Sequence, residues 1–449
     1  TQPADRETTP AGPSPRPAAG LGFGSGLGLV AANMIGSGVF LSAGFMAQQL
    51  GPGAILLAWL IGTLIALAGA RAYAEVAQLV PRSGGEYRYL SDLLHPVLGT
   101  LAGWASLLIG FSAPIAVAAL AAGHFMRTLV PAASPYVVAT ALIVLLTAAH
   151  AGGFRLSRRT QDGLVLVKAA LLVAFVVVGL AHAPVGWPAW SPPSPPEGSV
   201  VPAFVTSLFF VAFAFSGWNA AAYAAGEFAR PRQDVPRAMM LGCGLVGTLY
   251  MAVNWVFVSS IPPDRASVVL AYESRRVTLG HLVMQDALGP AGGAAMSVLT
   301  IVAFISSMSA MTFVGPRVYA AMARDGHLPA SLAGTSATPP AASVVLQGAL
   351  ALVLLFTHRL QHVLQNVGGI LTLFNALVAL SLFRVRFAAR PGEPRPSGGS
   401  LFAAAVYVVT STVMLYFGLR AQVQLLAWVL AVMAAAGAFQ AWRWASRRR

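Results

Sequence analysis

Apolar stretches long enough for a helix to cross a bilayer, about 20 residues each, recur almost end to end along this chain. They predict twelve spans, at about 20–49, 52–80, 96–129, 134–151, 160–183, 201–228, 236–261, 291–323, 338–357, 360–384, 400–420 and 424–443. Turn formers separate them, such as Gly51-Pro52-Gly53, Pro131 and Pro192-Pro193-Ser194-Pro195-Pro196. Residues 1–17 are rich in Pro, Ala and Thr without periodicity and read as a disordered tail, with no signature of a cleaved leader. Two loops are long: 184–200 is rich in Trp and Pro. In 262–290, Glu273-Ser274-Arg275-Arg276 is read as part of a short interfacial helix.

Composition turns this pattern into one polytopic domain, over 18–443, rather than several soluble ones. Of 449 residues, 57% are hydrophobic and 9% charged, against about 25% charge in soluble proteins. The single cysteine, Cys243, excludes a disulfide framework and a Cys-based zinc site. The net charge of +14 comes from 28 basic residues, of which 27 are arginine. Arginine and lysine near span ends stay cytoplasmic. With twelve spans, nineteen arginines fall in the tails and the loops sharing their side, against six in the opposite set. Both termini, including the basic 444–449, are therefore expected in the cytoplasm of a cell whose inner (plasma) membrane holds the chain. Basic groups scattered over short loops, not gathered on one face, also argue against nucleic acid as a partner.

Two spans are interrupted. Span 1 contains Asn33-Met34-Ile35-Gly36-Ser37-Gly38-Val39-Phe40, and span 6 contains Phe215-Ser216-Gly217-Trp218-Asn219. Paired glycines disfavour a continuous helix, although they also let a neighbouring helix approach closely. Spans 1 and 6 are equivalent members of two five-helix halves, about 20–183 and 201–384, followed by spans 11 and 12 at 400–443. Interruptions in equivalent positions point to the site of an inverted-repeat transporter. An unwound segment frees N–H groups at the positive end of the following half-helix. Those near Ile35, Ser37, Gly38 and Val39 would hold a carboxylate. Carbonyls near Phe215 and Ser216 would accept from an ammonium group. Gly217 belongs to the same substrate-binding set, Phe215 and Trp218 would close the site, and Asn219 would supply a polar wall.

The one lysine, Lys168, lies within span 5, about 13 Å deep at 1.5 Å per residue. A charge at that depth is functional by default; snorkelling to the interface is the ordinary alternative. Its ammonium group can stand in for a bound cation, holding helix 5 against the break in helix 1 and the helix 8 serines Ser306, Ser307 and Ser309, or it can carry a proton. Those serines can equally bond back to their own helix. Glu75 reads as an ordinary i,i+4 partner of Arg71, and Glu227 either as half of a gate ion pair or as a solvated helix end. The eight histidines lack ligand spacing, so no metal and no cofactor are expected.

At these residues the chain resembles the amino acid-polyamine-organocation superfamily, in particular bacterial relatives of the L-type amino acid transporters. Four motifs carry the likeness. They are Ile35-Gly36-Ser37-Gly38-Val39-Phe40; Pro81-Arg82-Ser83-Gly84-Gly85-Glu86-Tyr87; Phe215-Ser216-Gly217-Trp218-Asn219 with Gly226-Glu227 and Pro231 to Pro236-Arg237-Ala238; and Arg317 to Ala323-Arg324-Asp325-Gly326-His327-Leu328-Pro329. The resemblance implies an all-α leucine-transporter-like fold with a 5+5 inverted repeat, two extra helices and sodium-independent alternating access. It also implies that Lys168 occupies the place of the second sodium ion of sodium-coupled relatives. Pro316 before Arg317 and a serine- and methionine-rich helix 8 depart from the family pattern. Cys243 does not fall where animal members bond a glycoprotein heavy chain, so no such partner is expected.

The function so implied is transport of small or medium neutral L-amino acids, by exchange, since no acid lies at mid-depth in helices 1, 3, 8 or 10. The alternative of the same fold is a proton-coupled symporter of amino acids or polyamines. An intramembrane enzyme would need His, Asp or Ser groups converging at depth. An amino acid sensor would need an output domain, and the last span ends about six residues before the final arginine.

Overall fold

The computed structural model describes residues 20–152, 158–182, 186–192, 200–261, 279–334, 341–357, 360–390, 394–421, 427 and 430–439. Expectations for 1–17, for 444–449 and for the segment around Glu273-Ser274-Arg275-Arg276 lie outside them. The described residues form helices and no β-strand, with a single parallel bridge joining Leu21 to Phe228.

In chain order the helices are α1 (Phe23–Met34), α2 (Ser37–Met46), α3 (Pro52–Leu79), α4 (Gly85–Leu93), α5 (Pro96–Ala105) and α6 (Ser112–Leu129). After them come α7 (Pro135–Ala151), α8 (Arg158–His182), α9 (Val200–Ala214), α10 (Ala220–Tyr223) and α11 (Pro231–Ser259). The last are α12 (Leu279–Arg324), α13 (Ala341–Thr357), α14 (Leu360–Ala388), α15 (Gly398–Ala421) and α16 (Leu430–Phe439). Among the described residues, eight stretches are long and apolar enough to cross a membrane: α1 with α2, α3, α5 with α6, Val165–His182 of α8, α11, α12, Asn366–Ala388 of α14, and Gly398–Arg420 of α15. Four apolar helices are shorter: α7, α9, α13 and α16.

Most boundaries fall within a few residues of the hydropathy pattern, and the exceptions have local causes. α11 begins at Pro231 rather than near Pro236, because Pro231 takes the first helical position, where its missing N–H costs nothing. α12 begins twelve residues before the expected 291, since a further helical segment precedes Gly289, whose φ of 68° turns the chain. α4 is an additional amphipathic helix that the apolar-run criterion passes over.

Several helices are polar inside and apolar outside, as lipid requires. On α8, Leu166, Val173, Val177 and Leu180 are 71, 50, 61 and 49% exposed, a stripe at near-helical spacing. The opposite stripe, Lys168, Leu172 and Phe175, is buried. α15 repeats the arrangement, with Phe402, Val409, Val413 and Tyr416 outward and Tyr407, Ser411 and Met414 inward. Small residues let the inner helices close up: a Cβ on Gly62 of α3 would stand 2.3 Å from Val211 of α9, and one on Gly242 of α11 would stand 2.6 Å from Val30 of α1.

Candidate functional site

α1 stops at Met34 and α2 starts at Ser37, with Ile35 and Gly36 between them. Ile35 N–H is the last to reach back along α1, to Ala31 O at 3.0 Å. In an unbroken helix the carbonyls of residues 32–35 would accept from the N–H groups of residues 36–39. The break sets both groups free, and the structure shows what takes the carbonyls. Lys168 Nζ, 1% exposed on α8, donates to Ala32 O at 3.0 Å and to Ile35 O at 2.7 Å. Tyr250 Oη on α11 donates to Met34 O at 2.5 Å. Asn33 O lies against Gly217. On the other side of the break, the first-turn N–H groups of Ser37, Gly38 and Val39 have no side-chain cap, which leaves a donor array at the positive end of α2.

The second break mirrors the first. α9 ends at Ala214, residues 215–219 form turns, Gly217 takes φ 106° and α10 restarts at Ala220. Only glycine enters that φ region at no steric cost, and a Cβ there would also stand 2.7 Å from Asn33 Cβ. Reciprocally, a Cβ on Gly38 would stand 2.3 Å from Ala214 Cα. Each break is therefore seated on the other through its glycine. The proton of Tyr250 Oη is shared with Ala214 O at 3.1 Å, so one phenol touches the last carbonyl of both α1 and α9. Phe215 O already accepts from Trp218 N at 3.3 Å, which leaves it one lone pair for an ammonium group.

The helix 8 serines, here on α12, do not surround the lysine as expected. Ser307 backs onto Gly36, Ser309 Oγ is hydrogen-bonded to His150 Nε2 at 3.1 Å, and Ser306 Oγ is buried without a partner. Ala310 of α12 packs with Val165 of α8 and Ala32 of α1. Two backbone carbonyls satisfy the ammonium group instead, because the break in α1 presents them at the depth of Lys168.

A cavity of about 60 Å³ lies beside the second break. Phe215, Ser216, Gly217, Trp218 and Asn219 line it, together with Asn33 from α1 and residues of α3, α12, α14 and α15. Ile35, Ser37, Gly38 and Val39 are not among its lining residues and pack in the interior. The expected site is thus one structural unit whose second half borders open space. Phe215 is wedged among Trp59 and Tyr250, and the Trp218 ring meets Tyr73 edge-on at 4.7 Å.

Three features of the site escape the sequence reading. Glu86 is buried on α4, where its Oε1 accepts from Asn219 Nδ2 at 2.5 Å and from Tyr73 Oη at 3.2 Å. Asn219 Nδ2 also donates to Tyr223 Oη at 3.2 Å, so this amide is engaged behind the cavity as well as facing it. The second is a π-helical turn, Ser106–Gly110, whose end at Gly110 and Phe111 borders the cavity; such turns concentrate at functional sites. The third is Tyr250. Glu86 and Tyr250 carried a signal, as polar groups beside Gly84-Gly85 and within an apolar helix. The π turn carried none.

Glu227 is half of an ion pair, with Arg317 Nε at 2.6 Å from its Oε1. The same segment is tied by Leu21 N to Glu227 O at 2.8 Å, by Ala229 N to Leu21 O at 3.0 Å and by Gly226 N to Ser83 Oγ at 2.9 Å. Asp325 joins this end, accepting from Tyr87 Oη at 2.5 Å and pairing with Arg88 at 2.7 Å. The side chains expected to stand together at Glu75 do so, with Arg71 at 3.4 Å. Among the described residues no group of three His, Cys, Asp or Glu side chains converges to hold a metal ion.

Comparison with known proteins agrees with this geometry. The chain is 27% identical to the mouse protein named large neutral amino acids transporter small subunit 2, over 89% of this chain and 76% of that one. It is 28% identical to mouse Asc-type amino acid transporter 1, over 88% and 76%. It is 25% identical to mouse b(0,+)-type amino acid transporter 1, over 87% and 80%. A family model described as amino acid permease matches residues 21–439. With two glycine-seated helix breaks at its centre and that model matching nearly its whole length, the chain belongs to the amino acid permease family.

Proposed function

We propose that this permease is a sodium-independent secondary transporter of small or medium neutral L-amino acids, working by alternating access and by exchange. The observation that carries the reading is the capping of Ala32 O and Ile35 O by Lys168 Nζ. A tethered ammonium group binds the carbonyls of the broken helix, the work a bound cation would do, and the uncapped N–H groups on the opposite side of the same break, packed inside here, would meet a substrate carboxylate when the two breaks part. The named activities of the relatives, all amino acid transporters, support the substrate class. Neutral cargo follows from the cavity lining, which contains no acidic or basic side chain; a polyamine would have no carboxylate to meet there.

In this reading the eight long and four shorter apolar helices make twelve spans, arranged as two inverted five-span halves, about 20–183 and 201–384, and a final pair. Both termini face the cytoplasm, and the chain sits in the inner (plasma) membrane. The Glu227–Arg317 pair and the Leu21 bridge form the inner closure, which parts when the site opens to the cytoplasm. Some relatives are named as small subunits. Here the single cysteine, Cys243, is buried in α11, out of reach of a partner's thiol, and we read the chain as working without a disulfide-linked heavy chain.

The test is uptake of labelled alanine, serine and leucine into proteoliposomes with and without internal amino acid. Uptake that rises strongly with internal amino acid is expected. No uptake of any of the twenty amino acids would overturn the proposal.

A further inference from the structure

We propose that α15 belongs to the substrate site, and that Ser411 hydrogen-bonds the tip of the substrate's side chain, an uncharged group such as a carboxamide. This rests on the transporter reading above and adds a specificity determinant to it. The cavity runs from Phe111 past the second break to Tyr407, Ser411 and Met414 of α15. These three are at i, i+4 and i+7, one helix face, and the opposite face carries the exposed apolar stripe from Phe402 to Tyr416.

The hydroxyls of α15 differ in one respect. Thr410 Oγ1 and Thr412 Oγ1 donate back to Val406 O and Val408 O, each at 2.8 Å. Ser411 Oγ, between them and fully buried, has no hydrogen-bond partner. The Tyr407 phenol stands near both Asn375 and Ser411 without closing a hydrogen bond to the serine. A buried hydroxyl without a partner is costly, and this one borders the cavity, so a group entering from the substrate side satisfies it. On the far side of Tyr407 from the serine stands Asn375, whose Oδ1 accepts from Tyr73 Oη at 2.5 Å and whose amide reaches the Tyr407 phenol, leaving one amide hydrogen for a second acceptor. A hydroxyl and an amide at the α14 and α15 end of a compartment lined by no charged side chain fit a substrate side chain that is polar, without charge, at its tip. Glutamine has that form; methionine has the same length without the polar tip.

The experiment compares the parent chain with Ser411→Ala. Labelled alanine uptake into proteoliposomes is competed with glutamine and with methionine, and the ratio of the two half-inhibitory concentrations is read. Loss of one hydrogen bond is expected to shift that ratio by about fivefold against glutamine. An unchanged ratio overturns the inference and leaves a bound water as the partner of Ser411. If the parent takes up no alanine, the transporter reading fails separately. The inference is then read from ligand-induced thermal stabilisation of the purified chains, where glutamine is expected to protect the parent better than Ser411→Ala. Equal protection of both, or none, overturns it.

Discussion

Replacing Lys168 by methionine removes the ammonium group while keeping a flexible stem of nearly the same length in a site that is 1% exposed. Two hydrogen bonds disappear, to Ala32 O and Ile35 O. Bonds from a charged donor contribute about 1.5–3 kcal/mol each, so their loss costs about 3–6 kcal/mol in all. Against this stands the desolvation of a buried ammonium group, several kcal/mol by itself, which the substitution relieves. The two sides largely cancel in stability, so Lys168→Met is expected to purify as a folded, monodisperse protein. They do not cancel in function. The lysine holds the end of α1 in the geometry that frees Ser37, Gly38 and Val39 N–H, and a loss of about 1.4–2.8 kcal/mol in that organisation weakens substrate binding by about 10- to 100-fold. Initial uptake rates over a range of alanine concentrations, normalised to folded protein, measure it. A folded Lys168→Met protein that transports within about twofold of the parent would refute the assignment of Lys168 as the clamp of the first break.

Three other substitutions probe the same unit. Tyr250→Phe withdraws the proton shared by Met34 O and Ala214 O; it should lower stability by about 1 kcal/mol and raise the KM for alanine severalfold, read by thermal unfolding and by uptake. Gly217→Ala forces a Cβ to 2.7 Å from Asn33 Cβ at φ 106°. Strain and overpacking together cost about 2–5 kcal/mol, and the yield of folded protein measured by size-exclusion chromatography should fall sharply. Glu86→Gln keeps an acceptor for Asn219 and Tyr73 and should retain most of the stability, whereas Glu86→Ala should lose about 1–3 kcal/mol in the same unfolding assay.

The breaks are legible in the sequence because glycine at mid-span conflicts with an apolar helix, and the two conflicts share one cause, a paired interruption of the helices. Lys168 is legible because lipid makes a buried charge conspicuous. Its partners are not, since which of several nearby acceptors an ammonium group takes depends on how α8 is rotated. Tyr250 and Glu86 escape for a related reason: both are single polar groups whose role appears only when distant helices bring Met34, Ala214, Tyr73 and Asn219 to them. The π turn at Ser106–Gly110 comes from one extra residue in the backbone ladder, and Ser-Leu-Leu-Ile-Gly does not distinguish it from an ordinary helical turn. Glu227 reads in the sequence equally as a gate and as a solvated helix end, and only the fold brings it to 2.6 Å from Arg317, 90 positions away.

The central claim is that a fixed ammonium group does the work of a bound cation at the first break. Exchange of labelled alanine by preloaded proteoliposomes, measured with sodium on both sides and with sodium replaced throughout by choline, tests it most directly. Equal initial rates in the two media are predicted. Exchange that requires sodium would contradict the account, because the place assigned to the cation is held by Lys168.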